Sequence, residues 1–229
     1  MSNSLGQRRV QRHAPIREQV AAIIRDAIVN MELLPGQVLI ERELCEMTSA
    51  SRPSVREALR QLESEGLLES RTGRGTVVAA PTRHQATQLY EVRAELEGMA
   101  AALFTKRADA DARRAFLEAF VEVEGAATTT PGGAASAGTA MLAAKVELYQ
   151  IMVDGADNEI LRELVGGLLR RVTQLRALTM STEGRMEKSL EEIRAIVNAV
   201  VEGDADRARE AAIHHVEQAA QTALKFARD

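Results

Sequence analysis

Ser51-Arg52-Pro53-Ser54-Val55-Arg56-Glu57-Ala58-Leu59-Arg60-Gln61-Leu62-Glu63-Ser64-Glu65-Gly66-Leu67-Leu68 is the stretch whose reading decides the fold. Val55, Ala58, Leu59 and Leu62 recur at i, i+3, i+4 and i+7, the spacing of one buried helical face, and Gly66 ends the pattern where a C-terminal cap belongs. The spacing predicts a helix of about three turns. Ser51 suits the N-cap, and Pro53 is tolerated in the first turn because the N–H it lacks has no intrahelical partner there. Arg52, Arg56 and Arg60 follow at i, i+4 and i+8 beside the apolar face. A helix that buries one side and offers arginines at its N-terminal end suits phosphates or guanine edges in a major groove. The same arginines could instead pair with Glu57, Glu63 or other carboxylates on a solvated face.

The flanks favour the first reading. Upstream, Ile16, Val20, Ile23, Ile24, Ala27, Ile28 and Met31 fit one face of a scaffold helix. Leu34-Pro35-Gly36-Gln37 is a turn signature, and Val38-Leu39-Ile40 reads as a brief strand. A short helix from Glu41 to Met47 and the Thr48-Ser49-Ala50 link complete helix, turn, helix. Downstream, Leu67 to Ser70 and Thr76 to Ala79 flank Arg71-Thr72-Gly73-Arg74-Gly75 and predict a β-hairpin with arginines at its tip, a wing for the minor groove or backbone. Gly73 and Gly75 allow that tip a close approach. Residues 1–14 hold Arg8, Arg9 and Arg12 without periodicity, either a basic arm adding phosphate or minor-groove contacts or a plain disordered terminus.

After a connector at residues 81–85 the chain reads as helix almost throughout. Leu89, Val92, Leu96, Met99, Ala100 and Leu103 give one face, and Asp109 or Asp111 caps a helix running to about Gly125. The low-complexity run from Thr128 to Gly138 is expected as a flexible loop. Helices are expected again over Ala140–Asp154, Asn158–Thr179, Glu183–Glu202 and Asp204–Ala227, with Asp204 an N-cap. The fold class is therefore mainly α: a winged helix-turn-helix over residues 15–80, then an all-helical bundle over 86–229.

Composition agrees. With 229 residues the chain has room for two small domains. The net charge of −4 argues against a general nucleic-acid binder. Residues 1–80, however, carry 11 Arg and no Lys against 10 Asp and Glu, a net of +1, and the rest carries −5. Arginines at chosen places suit selective duplex binding better than indiscriminate coating. One cysteine, Cys45, makes neither an internal disulfide nor a zinc cluster, and is expected as a small buried hydrophobe. With no signal peptide and no apolar run near the length of a membrane span, the protein is expected in the cytoplasm, away from membranes.

Residues 15–79 resemble the winged helix-turn-helix domain of the GntR family of bacterial transcription regulators. The matching pieces are Leu34-Pro35-Gly36, Glu41-Arg42-Glu43-Leu44, Ser51 to Leu59, Leu62 to Leu68 and Gly73-Arg74-Gly75. The resemblance implies that Arg42, Arg52 and Arg56 contact bases or phosphates, that Ser51 and Ser54 bind phosphate, and that Gly75 lies at the wing tip beside Arg74. Thr48-Ser49-Ala50 departs from the family's common Leu-Gly-Val turn. Residues 86–227 resemble the FCD effector-binding and dimerisation domain of the FadR subfamily, through Leu89 to Glu97, Asp157 to Leu161, and Gly203-Asp204 with Ala208 and His215-Val216.

Many members of that subfamily hold a divalent metal through one Asp and three His. Lining up Asn158 and Gly203-Asp204 puts Lys145 at the Asp position, Tyr149 at the first His and Ile193 at the second, and only His215 is kept. One imidazole cannot hold a metal, so neither metal nor other cofactor is expected. Leu142, Lys145, Val146, Tyr149, Met152 and Val153 share one helical face, so Lys145 falls in an apolar seam, where an ammonium is costly unless an anion meets it. Arg93, at the family's pocket arginine, Lys145, Tyr149 and His215 are therefore expected to hold a small organic acid. Lys145 could otherwise snorkel or pair with Glu97 or Glu192, and His214 is expected to face solvent.

The sequence thus points to a homodimeric, ligand-responsive regulator, by default a repressor, on a palindromic double-stranded operator. A constitutive DNA-binding protein whose helical half only dimerises is the alternative. Nothing orders Ser, His and Asp for catalysis or cradles a phosphate, so an enzyme is not expected.

Overall fold

The computed structural model describes residues 15–29, 32–128, 134–180 and 182–227. The basic arm at 1–14 and the expected core residue Met31 lie outside the described residues.

In the N-terminal half, α1 (Ile16–Val29), α2 (Glu41–Thr48) and α3 (Arg52–Ser64) precede an antiparallel hairpin of β1 (Leu68–Arg71) and β2 (Gly75–Val78). Val20, Ile24 and Ile28 of α1 meet Leu44, Val55, Ala58, Leu59 and Leu62 in a core closed by Leu67, Leu68 and Val78. The i, i+3, i+4, i+7 set of α3 is wholly buried, as its spacing requires. On α1 the expected apolar stripe is too wide: Ile16 and Ile23 are exposed, because three short elements cover only one side of that helix. Val38 makes a single bridge with Val77, and Leu39 N donates to Thr76 O at 2.9 Å. The brief strand expected at Val38–Ile40 is reduced to that one bridge, which ties the entry to α2 onto the wing. Cys45 is half-buried against this core.

The α2–α3 turn resolves the departure from Leu-Gly-Val. Ser49 closes α2 at φ 53°, ψ 27°, the left-handed conformation in which glycine carries no steric penalty. A serine keeps the turn there at some cost in strain.

Among the described residues six helices form the rest: α4 (Arg83–Arg107), α5 (Ala110–Thr128), α6 (Ala134–Gly155), α7 (Glu159–Met180), α8 (Arg185–Glu202) and α9 (Ala205–Ala223). α4 starts within the expected connector because Thr82 and Gln85 form a reciprocal capping box, Gln85 N to Thr82 Oγ1 at 3.2 Å and Thr82 N to Gln85 Oε1 at 3.0 Å. Asp109 caps α5 through Ala112 N at 2.8 Å. Part of the expected Thr128–Gly138 loop is helical, since α6 begins at Ala134, and residues 129–133 lie outside the described residues. Alanine loses no side-chain entropy in a helix, so an alanine-rich run is poor linker material however simple its composition.

Phe104, Phe116, Val123, Met141, Leu148, Met152, Leu161, Ile193 and Ile196 build the main core of the bundle. Small residues bring α4 and α9 close: Ala208, Ala212, Ala219 and Ala223 of α9 are buried, and a Cβ on Gly98 of α4 would stand 2.8 Å from Ile213 Cγ1. The buried face of α4 is rotated from the expected one. Val92 and Met99 are exposed, while Tyr90, Arg93, Ala94, Glu97, Ala101 and Phe104 turn inward. Val146, grouped with Lys145 in the sequence, is likewise exposed. Polar side chains occupy the interior at these places, so apolar periodicity alone misplaces the helix face.

Candidate DNA-binding surface and effector cavity

Ser51 caps α3: its Oγ accepts from Ser54 N at 3.4 Å and lies 3.0 Å from Ser54 Oγ. Both hydroxyls sit at the open N-terminal end of the helix, where unsatisfied backbone N–H groups and the macrodipole favour an anion. Arg52, the next residue, is exposed and, among the described residues, makes no hydrogen bond or ion pair. Arg56 is exposed too, but its Nε donates to both Glu41 oxygens, at 2.8 and 3.0 Å. That bond holds the Glu41 carboxyl below the usual range and the Arg56 guanidinium above it. It also aims Arg56 while leaving its two Nη nitrogens to donate elsewhere. Arg42 pairs loosely with Glu46 at 3.6 Å, and Arg60 pairs with Glu57 at 2.6 Å. Such exposed pairs contribute little and give way to phosphates.

At the wing, Gly73 and Gly75 have φ +77° and +76°, and a Cβ added at either would meet nothing within 4 Å. The glycines serve the turn and leave open space in front of it. Arg74 is exposed at this tip, whereas Arg71 folds back on Glu69. Arg42, Ser51, Arg52, Ser54, Arg56, Arg74 and Gly75 thus lie on the helix-turn-helix and wing, with Ser54 half-buried and the others exposed.

The four residues nominated inside the bundle come together. Arg93 (α4), Lys145 and Tyr149 (α6) and His215 (α9) are all nearly or fully inaccessible. Arg93, Lys145 and His215 line a cavity of about 10 Å³ with Tyr90, Leu142, Arg176, Thr179 and Ala219, and Tyr149 packs beside it with its ring centroid 6.1 Å from that of His215. The cavity as it stands is about the size of one water. Lys145 Nζ donates to Ser189 Oγ at 2.7 Å and lies 3.4 Å from His215 Nε2. On the other side of the imidazole, Nδ1 lies 2.6 Å from Glu192 Oε2. That carboxylate also takes both Nη nitrogens of Arg185, at 2.9 and 2.8 Å. Arg93 Nε donates to Glu97 Oε1 at 2.6 Å, and its guanidinium stands 5.3 Å from the Tyr90 ring centroid.

Burial and the surrounding cations set the protonation states. Desolvation, then repulsion from Arg176, Arg93 and Arg185, pushes the Lys145 ammonium well below its ordinary value. Desolvation and Lys145 push His215 the same way, so the ring is neutral, Nδ1–H donates to Glu192, and the Nε2 lone pair faces Lys145. Burial also lowers Arg176, with Arg93 adding to it. Burial is the largest influence on Arg93 and works against its charge, but Glu97, Tyr90 and Tyr149 together outweigh it and the net shift is upward. Tyr90 and Tyr149 are pushed up, chiefly by burial, and stay protonated donors.

The sequence reading missed Arg176, Arg185, Ser189 and Tyr90 as members of this cluster, and named Glu97 and Glu192 only as alternative partners for Lys145. The signal for Arg176 was the one that exposed Lys145: it follows Val172 by four residues on an apolar stripe. Arg185, Ser189 and Glu192 likewise share a helical face with Ile196. Among the described residues no group of three or more His, Cys, Asp or Glu is placed to hold a metal.

Comparison with known proteins places both halves. The description "Bacterial regulatory proteins, gntR family" matches residues 16–78, and "FCD domain" matches residues 88–218. A probable D-xylose utilization operon transcriptional repressor from Paenarthrobacter nicotinovorans is 31% identical over 207 residues, 87% of each chain. The Uxu operon transcriptional regulator of Escherichia coli K12 is 28% identical, over 91% of this chain and 87% of that one. Among solved structures, E. coli McbR/YncC superposes with a TM-score of 0.76 at 20% identity, covering 90% of this chain and 95% of its own. A putative GntR regulator from Rhodococcus sp. RHA1 gives 0.75 at 22% identity, over 93% and 99%. At those identities the structural likeness speaks for the fold alone.

Proposed function

The chain belongs to the gntR family of bacterial regulatory proteins, carrying an FCD domain behind its winged helix-turn-helix, and on that premise we propose a transcription regulator whose operator binding answers to a small organic acid in the bundle. It is a DNA-binding regulator and not an enzyme. The finer reading is ours: a cytoplasmic homodimer, by default a repressor, on a palindromic operator. Two-fold pairing suits a reader whose single recognition helix spans only a few base pairs. No helix among the described residues is long and apolar enough to cross a membrane.

On the duplex, Arg52 and Arg56 of α3 enter the major groove, Ser51, Ser54 and Arg42 hold phosphates, and Arg74 with Gly75 follows the adjacent backbone or minor groove. Supporting this assignment, Arg52 is solvated and unpaired among the described residues while the apolar face of its helix is wholly buried.

For the effector, the observation that carries the reading is a set of buried donors without acceptors among the described residues: Arg93 Nη1, Arg176 Nη2, Tyr90 Oη, Tyr149 Oη and Arg185 Nε. Orphan donors of this kind are costly, and an acid group satisfies several at once. Binding rearranges the packing of α4, α6, α7 and α9, and through it the separation of two winged domains, so that acid and operator affinities are reciprocally coupled. The tight cavity is the feature that favours the alternative, a bundle that only dimerises. Thermal shift with a panel of small organic acids separates the two, because a ligand of the native state raises its stability. The sensor reading expects stabilisation of the wild type and none of Lys145→Met; no stabilisation by any acid leaves the dimerising bundle.

A further inference from the structure

The buried cluster carries more positive charge than one acid group balances. Four cationic side chains, Arg93, Lys145, Arg176 and Arg185, meet two carboxylates, Glu97 and Glu192. The imbalance is divided between two places. At one, Arg93 takes Glu97 at 2.6 Å, and Arg176, buried nearby, has no carboxylate within ion-pair distance among the described residues. Glu97 is the one carboxylate among the described residues that raises both arginines, and it bonds Arg93 directly. At the other, Glu192 is engaged by Arg185 and by the imidazole N–H of His215, and Lys145 has only the neutral Ser189 hydroxyl and His215 Nε2. The first place is one negative charge short, and the second is one short whenever Lys145 carries its proton.

We infer that the effector is a diacid, one acid group bound by Arg176 and Arg93 and the other by Lys145. This rests on the organic-acid reading above and adds Arg176 as a binding residue. Four of the five orphan atoms among the described residues, all but Arg185 Nε, fall in the pattern such a ligand needs. Arg93 Nη1 and Arg176 Nη2, with the Tyr90 hydroxyl, are free donors for the first acid group. The Tyr149 hydroxyl, on the same helix as Lys145, is free for the second. A monoacid at either place leaves the other uncompensated in a low-dielectric interior, where an unpaired charge is strongly unfavourable. Arg93, Lys145, Arg176 and Tyr90 line the same cavity, so one short molecule reaches both groups once the long side chains of Lys145 and Arg176 give way.

Isothermal titration of the full-length protein tests this with straight-chain diacids from malonate to adipate, each against the monoacid of equal carbon number, such as succinate against butyrate. The expected result is a preference of about ten- to a hundredfold for the best diacid, the range set by one set of charge-assisted hydrogen bonds. Arg176→Gln, which keeps a planar donor but loses the charge, is expected to abolish that preference while leaving monoacid binding within about threefold. Circular dichroism melting of Arg176→Gln confirms that the variant folds, and Arg176→Lys, which restores the charge, is expected to recover part of the preference. If monoacids bind as tightly as diacids, or if Arg176→Gln keeps the full preference, the diacid inference falls while the organic-acid reading stands. If no acid of either series binds, both fall.

Discussion

Replacing Lys145 by methionine is expected to make the protein more stable and deaf to its effector. The ammonium is buried, its neighbours Ser189 and His215 are neutral, and three arginines repel it. Exchanging a buried amine that has no anion to hold its proton for an apolar side chain of similar volume is worth up to about 4 kcal/mol. Ser189 loses its partner at 2.7 Å, a cost of about 1 kcal/mol. The net gain is then up to about 3 kcal/mol, with each kcal/mol raising the melting temperature by about 2–4 °C in a domain of this size. The pH dependence adds a second signature. A lysine held below its ordinary 10.5 takes up its proton more readily in the unfolded chain, so the wild type is penalised at neutral pH. That penalty fades as pH rises toward 10.5, and the advantage of Lys145→Met shrinks with it. Differential scanning calorimetry at pH 7 and pH 10 reads both effects. A variant less stable than wild type at pH 7, or a gain that is the same at both pH values, would refute the reasoning.

His215, held neutral and well below 6.5, gives stability that is complete above about pH 6.5 and falls on acidification, by up to about 1.4 kcal/mol per pH unit; His215→Gln should flatten that limb of a melting-temperature profile. Ser49→Gly relieves the left-handed conformation at φ 53° and is expected to stabilise the DNA-binding half by about 1 kcal/mol, measured by denaturant unfolding. Gly155→Ala sets a Cβ 2.6 Å from the Phe104 ring and should destabilise the bundle by about 1–3 kcal/mol in the same assay. Arg52→Ala costs about 1–3 kcal/mol at one base pair if it reads a base; if it holds a phosphate, binding weakens on all sequences and the salt slope falls by about 1, so anisotropy on mutated duplexes decides.

The DNA-binding half was legible because its signals are local. The Val55–Leu62 stripe, the Ser51 cap and the glycines at 73 and 75 each fix a conformation within a few residues, and the structure holds all of them. Ser49 shows the limit: the sequence registered a missing glycine, but only the fold reveals that serine takes the same backbone conformation. The bundle was legible as helices and less so as faces. Val92, Met99 and Val146 look like core by type, yet Arg93, Glu97 and Lys145 are buried instead: Arg93 pairs with Glu97 one turn along α4, while Lys145 meets Ser189 of α8 and His215 of α9. The pairs within α4 and α8 are local, but no window along the chain contains the contacts of Lys145. Arg176 stayed hidden because it becomes meaningful only beside Arg93 and Glu97 of α4; Arg185 pairs with Glu192 on its own helix, and what the sequence does not show is that Glu192 also meets His215 of α9.

Titration of a fluorescent operator duplex, recovered by selection from a random library, with and without a small organic acid tests the central claim most directly. The account predicts sequence-specific binding by a protein dimer, weakened by Arg52→Ala, and a shift in operator affinity by the acid that disappears in Lys145→Met. Binding that ignores sequence and the Arg52 substitution would contradict the assignment of the α3 surface, and operator affinity indifferent to every acid would contradict the coupling.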